Sequence, residues 1–254
     1  MQRRLVMSLL VWSIFGPACS GQITGKITLD GPVPLVASWP VIIVPPGGFA
    51  NGLPPVPRGP LPDPAWRVGP NNELEEVLVR LDAADPARLR GNVPPKPIEV
   101  TIMNGVFDQR IVGVMVGQDL KFTNADPAIE GVYGIPVLNQ AVCFDLRQHK
   151  TEAIKLNAIE TFEVHRIDHK RIVLLICCLP HPYFAVSGPD GCFAINVVPP
   201  DGEYSIIAWH RTGKKQEKTV TVKNAKATID FAIKPPDPPA HQKARKPAPT
   251  TQGK

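Results

Sequence analysis

Apolar and polar residues alternate with a period of two along much of this chain. Ile23, Gly25, Ile27 and Leu29 interleave with Thr24, Lys26 and Thr28 up to a Gly31-Pro32 stop, the pattern of a half-buried strand that ends in a turn. Val77, Val79 and Leu81 repeat it, as do Ile98, Val100 and Ile102. Val41–Val44 reads as a short apolar strand. Phe107–Val116 followed by Leu120–Asn124 across Gly117-Gln118 predicts a hairpin. Residues 126–160 are less regular, and β character returns at Thr161–Val164 and Ile172–Cys177. Pro189-Asp190-Gly191 and Pro200-Asp201-Gly202 are turn signals. Each precedes a strand-like run, first Cys192–Val197 and then Tyr204, Ile206 and Ala208. Val220 and Val222, then Ile229, Phe231 and Ile233, complete the set. No segment carries ten or more residues at helical period with caps. Short strands spaced by about 8–12 residues predict an all-β protein of β-sandwich modules.

Proline sharpens this picture. The chain has 30 prolines in 254 residues, more than twice the average usage of about 5%. Many stand in pairs such as Pro45-Pro46, Pro94-Pro95 and Pro199-Pro200. Proline lacks an N–H and fixes φ, so these pairs mark loops and segment ends. Residues 46–70 read as a long Pro-rich loop over the surface. At the N-terminus, Arg3 and Arg4 precede an apolar run from Leu5 to Phe15, and Ala18-Cys19-Ser20 supplies small residues. This is the form of a signal peptide over residues 1–20, predicting export to a periplasmic or extracellular space. Lipidation at Cys19 is the alternative fate. No later stretch is long and apolar enough to cross a membrane.

The net charge of +5 is not spread evenly. Arg3 and Arg4 contribute +2 and the segment from Lys234 onward +4, which leaves −1 on residues 21–233. A nucleic-acid-binding surface needs its basic excess on the folded domain, so that function is excluded. Residues 235–254, rich in proline and lysine, read as a disordered basic tail.

From residue 71 onward the order of motifs resembles an exported family of plastocyanin-like (cupredoxin) proteins. The residues that carry the likeness are Asn71-Asn72-Glu73-Leu74-Glu75-Glu76-Val77, the stretch from Val116 through Asn124-Ala125-Asp126-Pro127, and Asn139 with Phe144 beyond it. In that family a carboxypeptidase-regulatory-like sandwich of transthyretin type accompanies the cupredoxin. The run Tyr183–Phe193, Pro200–Tyr204 and Trp209-His210 are similar to that second module. The resemblance implies a cupredoxin-like domain at 71–182 and a regulatory-like domain at 183–234. Residues 21–45 would add N-terminal strands to the latter.

The resemblance also implies a type 1 copper centre of two His, one Cys thiolate and a weak axial ligand. This chain departs from it. Where a His follows the Asn-x-Asp-Pro motif in the family, Ile129-Glu130-Gly131 stands here. Where the family has Cys-x-x-His-Pro-Trp-Met, this chain reads Cys178-Leu179-Pro180-His181-Pro182-Tyr183-Phe184. Cys178 and His181 remain as the metal-ligand pair, vestigial on this reading, and the expected cofactor is none, with copper as the alternative. Once freed of metal, Cys178 is expected to pair with Cys143 or Cys192 in an oxidising compartment.

Other candidates have plainer readings. His165 and His169 stand four apart, a metal spacing on a helix, but their neighbours read as strand, where that spacing puts them about 13 Å apart. His149 lies in a polar loop. Cys177 and Cys178 with His181 could bind a soft metal or form a nucleophile, against a buried strand-end or disulfide role. Trp209 could stack on a sugar, against a core or rim aromatic. There is no Gly-rich phosphate loop, Gly-x-Ser-x-Gly elbow or His-Glu-x-x-His motif. The sequence therefore predicts a non-enzymatic structural or binding protein of the cell envelope, its partner an envelope protein or glycan. The alternatives are a copper or electron-transfer protein rebuilt around Cys178 and His181, and a carbohydrate-binding module.

Overall fold

The computed structural model of the chain describes residues 23–36, 61–167 and 173–237. The expected signal peptide with Cys19, the strand expected at 41–44, most of the expected 46–70 loop, His169 and nearly all of the expected basic tail lie outside them. Among the described residues every regular element is a strand except a 3-10 turn at Pro86–Leu89. The strands form two β-sandwiches, as the alternation predicts, and one sandwich is inserted into the other.

The host sandwich is assembled from distant segments. One of its sheets centres on Ile23–Leu29, which pairs antiparallel with Cys192–Ile195 and parallel with Ala227–Thr228 and Phe231–Ile233. The facing sheet runs Phe184–Val186, Leu78–Asp82, Gly202–Trp209, Gln216–Val222. Leu78–Asp82, read above with the cupredoxin-like segment, thus lies beside strands from beyond residue 183. The period-two pattern explains the core between these sheets. Ile23, Ile27 and Leu29 meet Val79, Leu81, Tyr204, Ile206, Ala208, Val220 and Val222 there. Gly25 sits in the same register, and a β-carbon on it would fall 1.7 Å from the Ile229 carbonyl oxygen. Only glycine lets the two backbones approach so closely. Trp66 also enters this core, so the described end of the Pro-rich loop is anchored rather than laid over the surface.

The inserted sandwich is local in sequence. One sheet runs Val142–Leu146, Glu130–Gly134, Glu160–Arg166, Val173–Leu179, Ile111–Met115. The other runs Thr151–Lys155, Asp119–Asn124, Ile98–Met103, Val106–Phe107. Val100, Ile102, Phe122, Val132, Val164 and Ile176 fill the space between them. The hairpin expected from 107 to 124 does not form. Ile111–Met115 pairs parallel with Val173–Leu179, while Asp119–Asn124 pairs parallel with Ile98–Met103 in the opposite sheet. The reason lies in their surroundings. Ile111–Met115 is buried at every position and needs cover on both faces, whereas Asp119–Asn124 alternates. The Gly117-Gln118 turn carries the chain between the sheets. Gly117 has φ +82°, and the Gln118 side chain ties Met115 N–H (3.0 Å) to the Lys96 carbonyl (2.8 Å).

The two sandwiches stack as four layers. Leu78, Phe184, Val186 and Trp209 on the outer face of the host pack against Ile111, Leu175, Cys177 and Leu179 of the insert. This second apolar contact explains why Val173–Leu179 is buried on both faces.

Candidate functional site

The adjacent cysteines show how strand geometry separates side chains that are neighbours in sequence. Successive residues of a strand point to opposite faces. Cys178 therefore packs into the core of the insert, and Cys177 into the junction between the sandwiches. Burial pushes both thiols up to about 11, helped at Cys178 by the Glu160 carboxylate and opposed at Cys177 by a Thr161 hydrogen bond and Arg80. Cys143, Cys177 and Cys178 are free thiols, while Cys192 is disulfide-bonded. Cys178 thus pairs with neither Cys143 nor Cys192, because the cross-strand alternation aims it inward.

His181 lies elsewhere. It is buried against Arg80–Asp82 and the Pro86–Arg90 turn of the host. Its Nδ1 accepts from Tyr183 N–H at 3.3 Å, and the ring is hydrogen-bonded to the Leu81 backbone. Burial, reinforced by Arg80, lowers its pKa. Glu130, at the place of the family's first histidine, forms a buried ion pair with Arg166. Phe184, at the place of the axial methionine, packs on Gly113 and pairs with Arg80 across the host sheet. Cys178, His181 and Glu130 thus face three separate environments. Among the described residues no group of three or more His, Cys, Asp or Glu is placed to hold a metal ion.

The Asn-x-Asp-Pro motif has a structural task. Fully buried Asn124 donates to the Ala128 and Leu146 carbonyls and accepts from Asp126 N–H. Asp126 in turn accepts from Asn104 and Gly105 N–H, both at 2.7 Å. His165 is half-buried, 3.6 Å from Glu163 and stacked on Tyr133. His149 occupies a turn with φ 57°, as its polar surroundings predict. Asp190 and Asp201 serve as turn formers, accepting from Cys192 N–H and from the N–H groups of Asn224 and Ala225.

The junction gathers the remaining chemistry. Arg110, at the entry of an insert strand, grips the Glu76 carboxylate through Nε at 2.8 Å to both oxygens and through a terminal nitrogen at 2.5 Å. It also donates to the Pro64 carbonyl at 2.7 Å. Glu76 adopts φ 65°, a left-handed conformation that costs a non-glycine residue about 1 kcal/mol. The ion pair holds it there. Arg211 of the host reaches Glu163 of the insert at 3.0 Å. Arg67, Arg110 and Arg211 line a cleft of about 380 Å³ beside these pairs. A second cavity of about 250 Å³ lies between the apolar faces, with Trp209, Cys177 and Arg80 in its walls. Trp209 belongs to this packed contact instead of standing free as a platform for a sugar ring.

His210 sits beside the junction, buried, its ring 4.1 Å from that of Trp66. Burial pulls its pKa down to about 4, against the opposing effects of an Ala65 backbone hydrogen bond and Glu76, and with help from Arg110 and Arg211. Sequence reading passes over Arg80, Glu76 and Arg110. Their one visible signal is a charge beside an apolar alternation, which usually marks a solvated face.

No protein-family model matches this chain, and no curated protein matches it in sequence. Solved structures similar to part of it include a copper-containing nitrite reductase, amicyanin and a purple cupredoxin. A copper-containing nitrite reductase from Thermus scotoductus SA-01 is similar over 39% of this chain, at 14% identity and a TM-score of 0.32, with 25% of the reductase covered. A variant of amicyanin is similar over 35% of this chain and 88% of its own, at 14% identity and a TM-score of 0.31. A purple cupredoxin from Nitrosopumilus maritimus is similar over 32% of this chain and 99% of its own, at 14% identity and a TM-score of 0.28. The chain thus spans about a quarter of the nitrite reductase and most of the amicyanin and purple cupredoxin chains.

Proposed function

We propose that this chain is a non-enzymatic, exported binding or structural protein of the cell envelope. On this reading a cupredoxin-like sandwich without a working type 1 site is carried within a regulatory-like sandwich. The observation that supports it is the dispersal of the three candidate ligands. Cys178 faces the core of one sandwich, His181 faces the other, and Glu130 is held by Arg166. A type 1 centre needs a thiolate and two imidazoles around one point, and these side chains do not fit that requirement. No helix among the described residues is long and apolar enough to cross a membrane.

Copper reconstitution tests the proposal. The purified chain is loaded with Cu(II), dialysed against a chelator and examined by visible absorption. The expected result is loss of the metal and no thiolate charge-transfer band. One retained equivalent of copper, with a band that disappears in Cys178→Ser, would overturn the reading in favour of electron transfer.

A further inference from the structure

We propose that the 250 Å³ cavity between the two sandwiches is a binding site for a small monoanionic amphiphile, a carboxylate on a compact apolar body. Two unlike sets of groups line it. Leu78, Ile207 and Trp209 from the host and Leu179 from the insert form an apolar wall. Arg80 and Lys215 supply positive charge, and Thr161 and Cys177 add a hydroxyl and a thiol. Among the described residues no carboxylate lines the cavity. Ligand sites of this kind combine apolar walls with a few convergent polar groups and lie preferentially between domains. Its volume falls just below the usual range of about 300–1,000 Å³, so the ligand is small.

Arg80 carries the argument. It projects from a central strand of the host sheet and is only partly exposed, and its side chain forms no hydrogen bond or ion pair with any described residue. Its charge is nonetheless felt at Cys177, His181 and Glu217. Glu217 is already engaged by Ser205 Oγ at 2.6 Å and Lys215 Nζ at 3.3 Å. A partly desolvated guanidinium without a counter-ion is costly, and a bidentate carboxylate is the partner its planar fork matches best. The larger cleft nearby offers no such vacancy, because Arg67, Arg110 and Arg211 each hold a glutamate. This site is independent of the copper reading, since none of its requirements involves Cys178 or His181.

The test is calorimetric titration of the full chain with benzoate and octanoate, each run beside the matching alcohol. The expected result is saturable one-to-one binding of at least one carboxylate, at least tenfold tighter than its alcohol. Arg80→Gln should weaken that binding tenfold or more while leaving the melting temperature within about 2 °C, because the Arg80 side chain makes no hydrogen bond or ion pair to lose. Lys215→Glu, at an exposed position (54%), provides a second variant and should also weaken it. Absence of binding by both carboxylates would overturn the proposal. Equal affinity for acid and alcohol, or unchanged affinity in both variants, would do the same.

Discussion

Lowering the pH should destabilise the host sandwich through His210. The ring is almost fully buried at 1% exposure, packed on Trp66, with Thr212 against Nδ1 at 3.2 Å. Its pKa falls from 6.5 to about 4 on folding, so the folded state favours the neutral ring. The sign follows from linkage. A group whose folded pKa is depressed adds stability above its unfolded pKa, and that stability is lost as pH falls toward the folded value. The window therefore runs from about pH 6.5 down to about pH 4. At about 1.4 kcal/mol per pH unit, the loss across it reaches about 3 kcal/mol, a large share of a domain stability of about 5–15 kcal/mol. Urea unfolding at several pH values should be measured for the wild type and for His210→Gln, whose amide keeps a donor and an acceptor but never charges. The difference between the two curves should shrink by about 3 kcal/mol between pH 7 and pH 4. Parallel curves across that range would refute the reasoning, since burial would then not be discriminating against the imidazolium.

Three further outcomes are expected. Glu76→Ala or Arg110→Ala should each cost about 2–4 kcal/mol in chemical unfolding, less than the full penalty of a sealed pair because Arg110 is 27% exposed. The double variant should cost clearly less than the two singles together. Gly25→Ala should cost more than about 3 kcal/mol, or prevent folding, because the added carbon meets the Ile229 carbonyl and displaces the Ile229 N–H to Thr24 carbonyl bond. A thermal melt of this variant indistinguishable from wild type would contradict the observed backbone approach. A hydrogen bond from the Asn71 side chain, then ones from the backbone N–H groups of Glu73 and Asn71, pull Glu73 down to about 2. Glu73→Gln should therefore be less stable than the wild type above about pH 4.5 and converge on it as pH falls toward about 2, a window that NMR titration separates from that of His210.

The alternation in Ile23–Leu29, Val77–Leu81 and Tyr204–Ala208 was enough to read strand and core-facing side, because in each the residues turned toward the other host sheet are apolar. The same logic misassigned Ile111–Met115. A run buried on both faces has no alternation to set its register, and its parallel partner lies some sixty residues away. Thr151–Lys155 went unread for the opposite reason. It is an edge strand with four of five positions exposed, so its side chains carry little pattern. At the junction, Arg80 went unread and Glu76 entered only as part of the Asn71–Val77 run. Their importance depends on a second sandwich packing against the outer face of the first, which no local pattern encodes. The separation of Cys178 from Cys177, by contrast, follows from strand parity once Ile172–Cys177 is read as β.

The pairing of Ile23–Leu29 sets a timetable. The strands it forms ladders with begin at Cys192, roughly 170 residues further along the chain. At about 5–20 residues per second a chain emerging from its N-terminus delivers them roughly 10–40 s after Ile23. Every ladder of the inserted sandwich closes between Ile98 and Leu179, so that unit is complete while the first strand still waits. A nascent chain halted near residue 190 would therefore present a finished insert trailing an uncovered row of Ile23, Ile27 and Leu29. During biogenesis this row is where a chaperone would have to bind, and where two unfinished chains would first adhere.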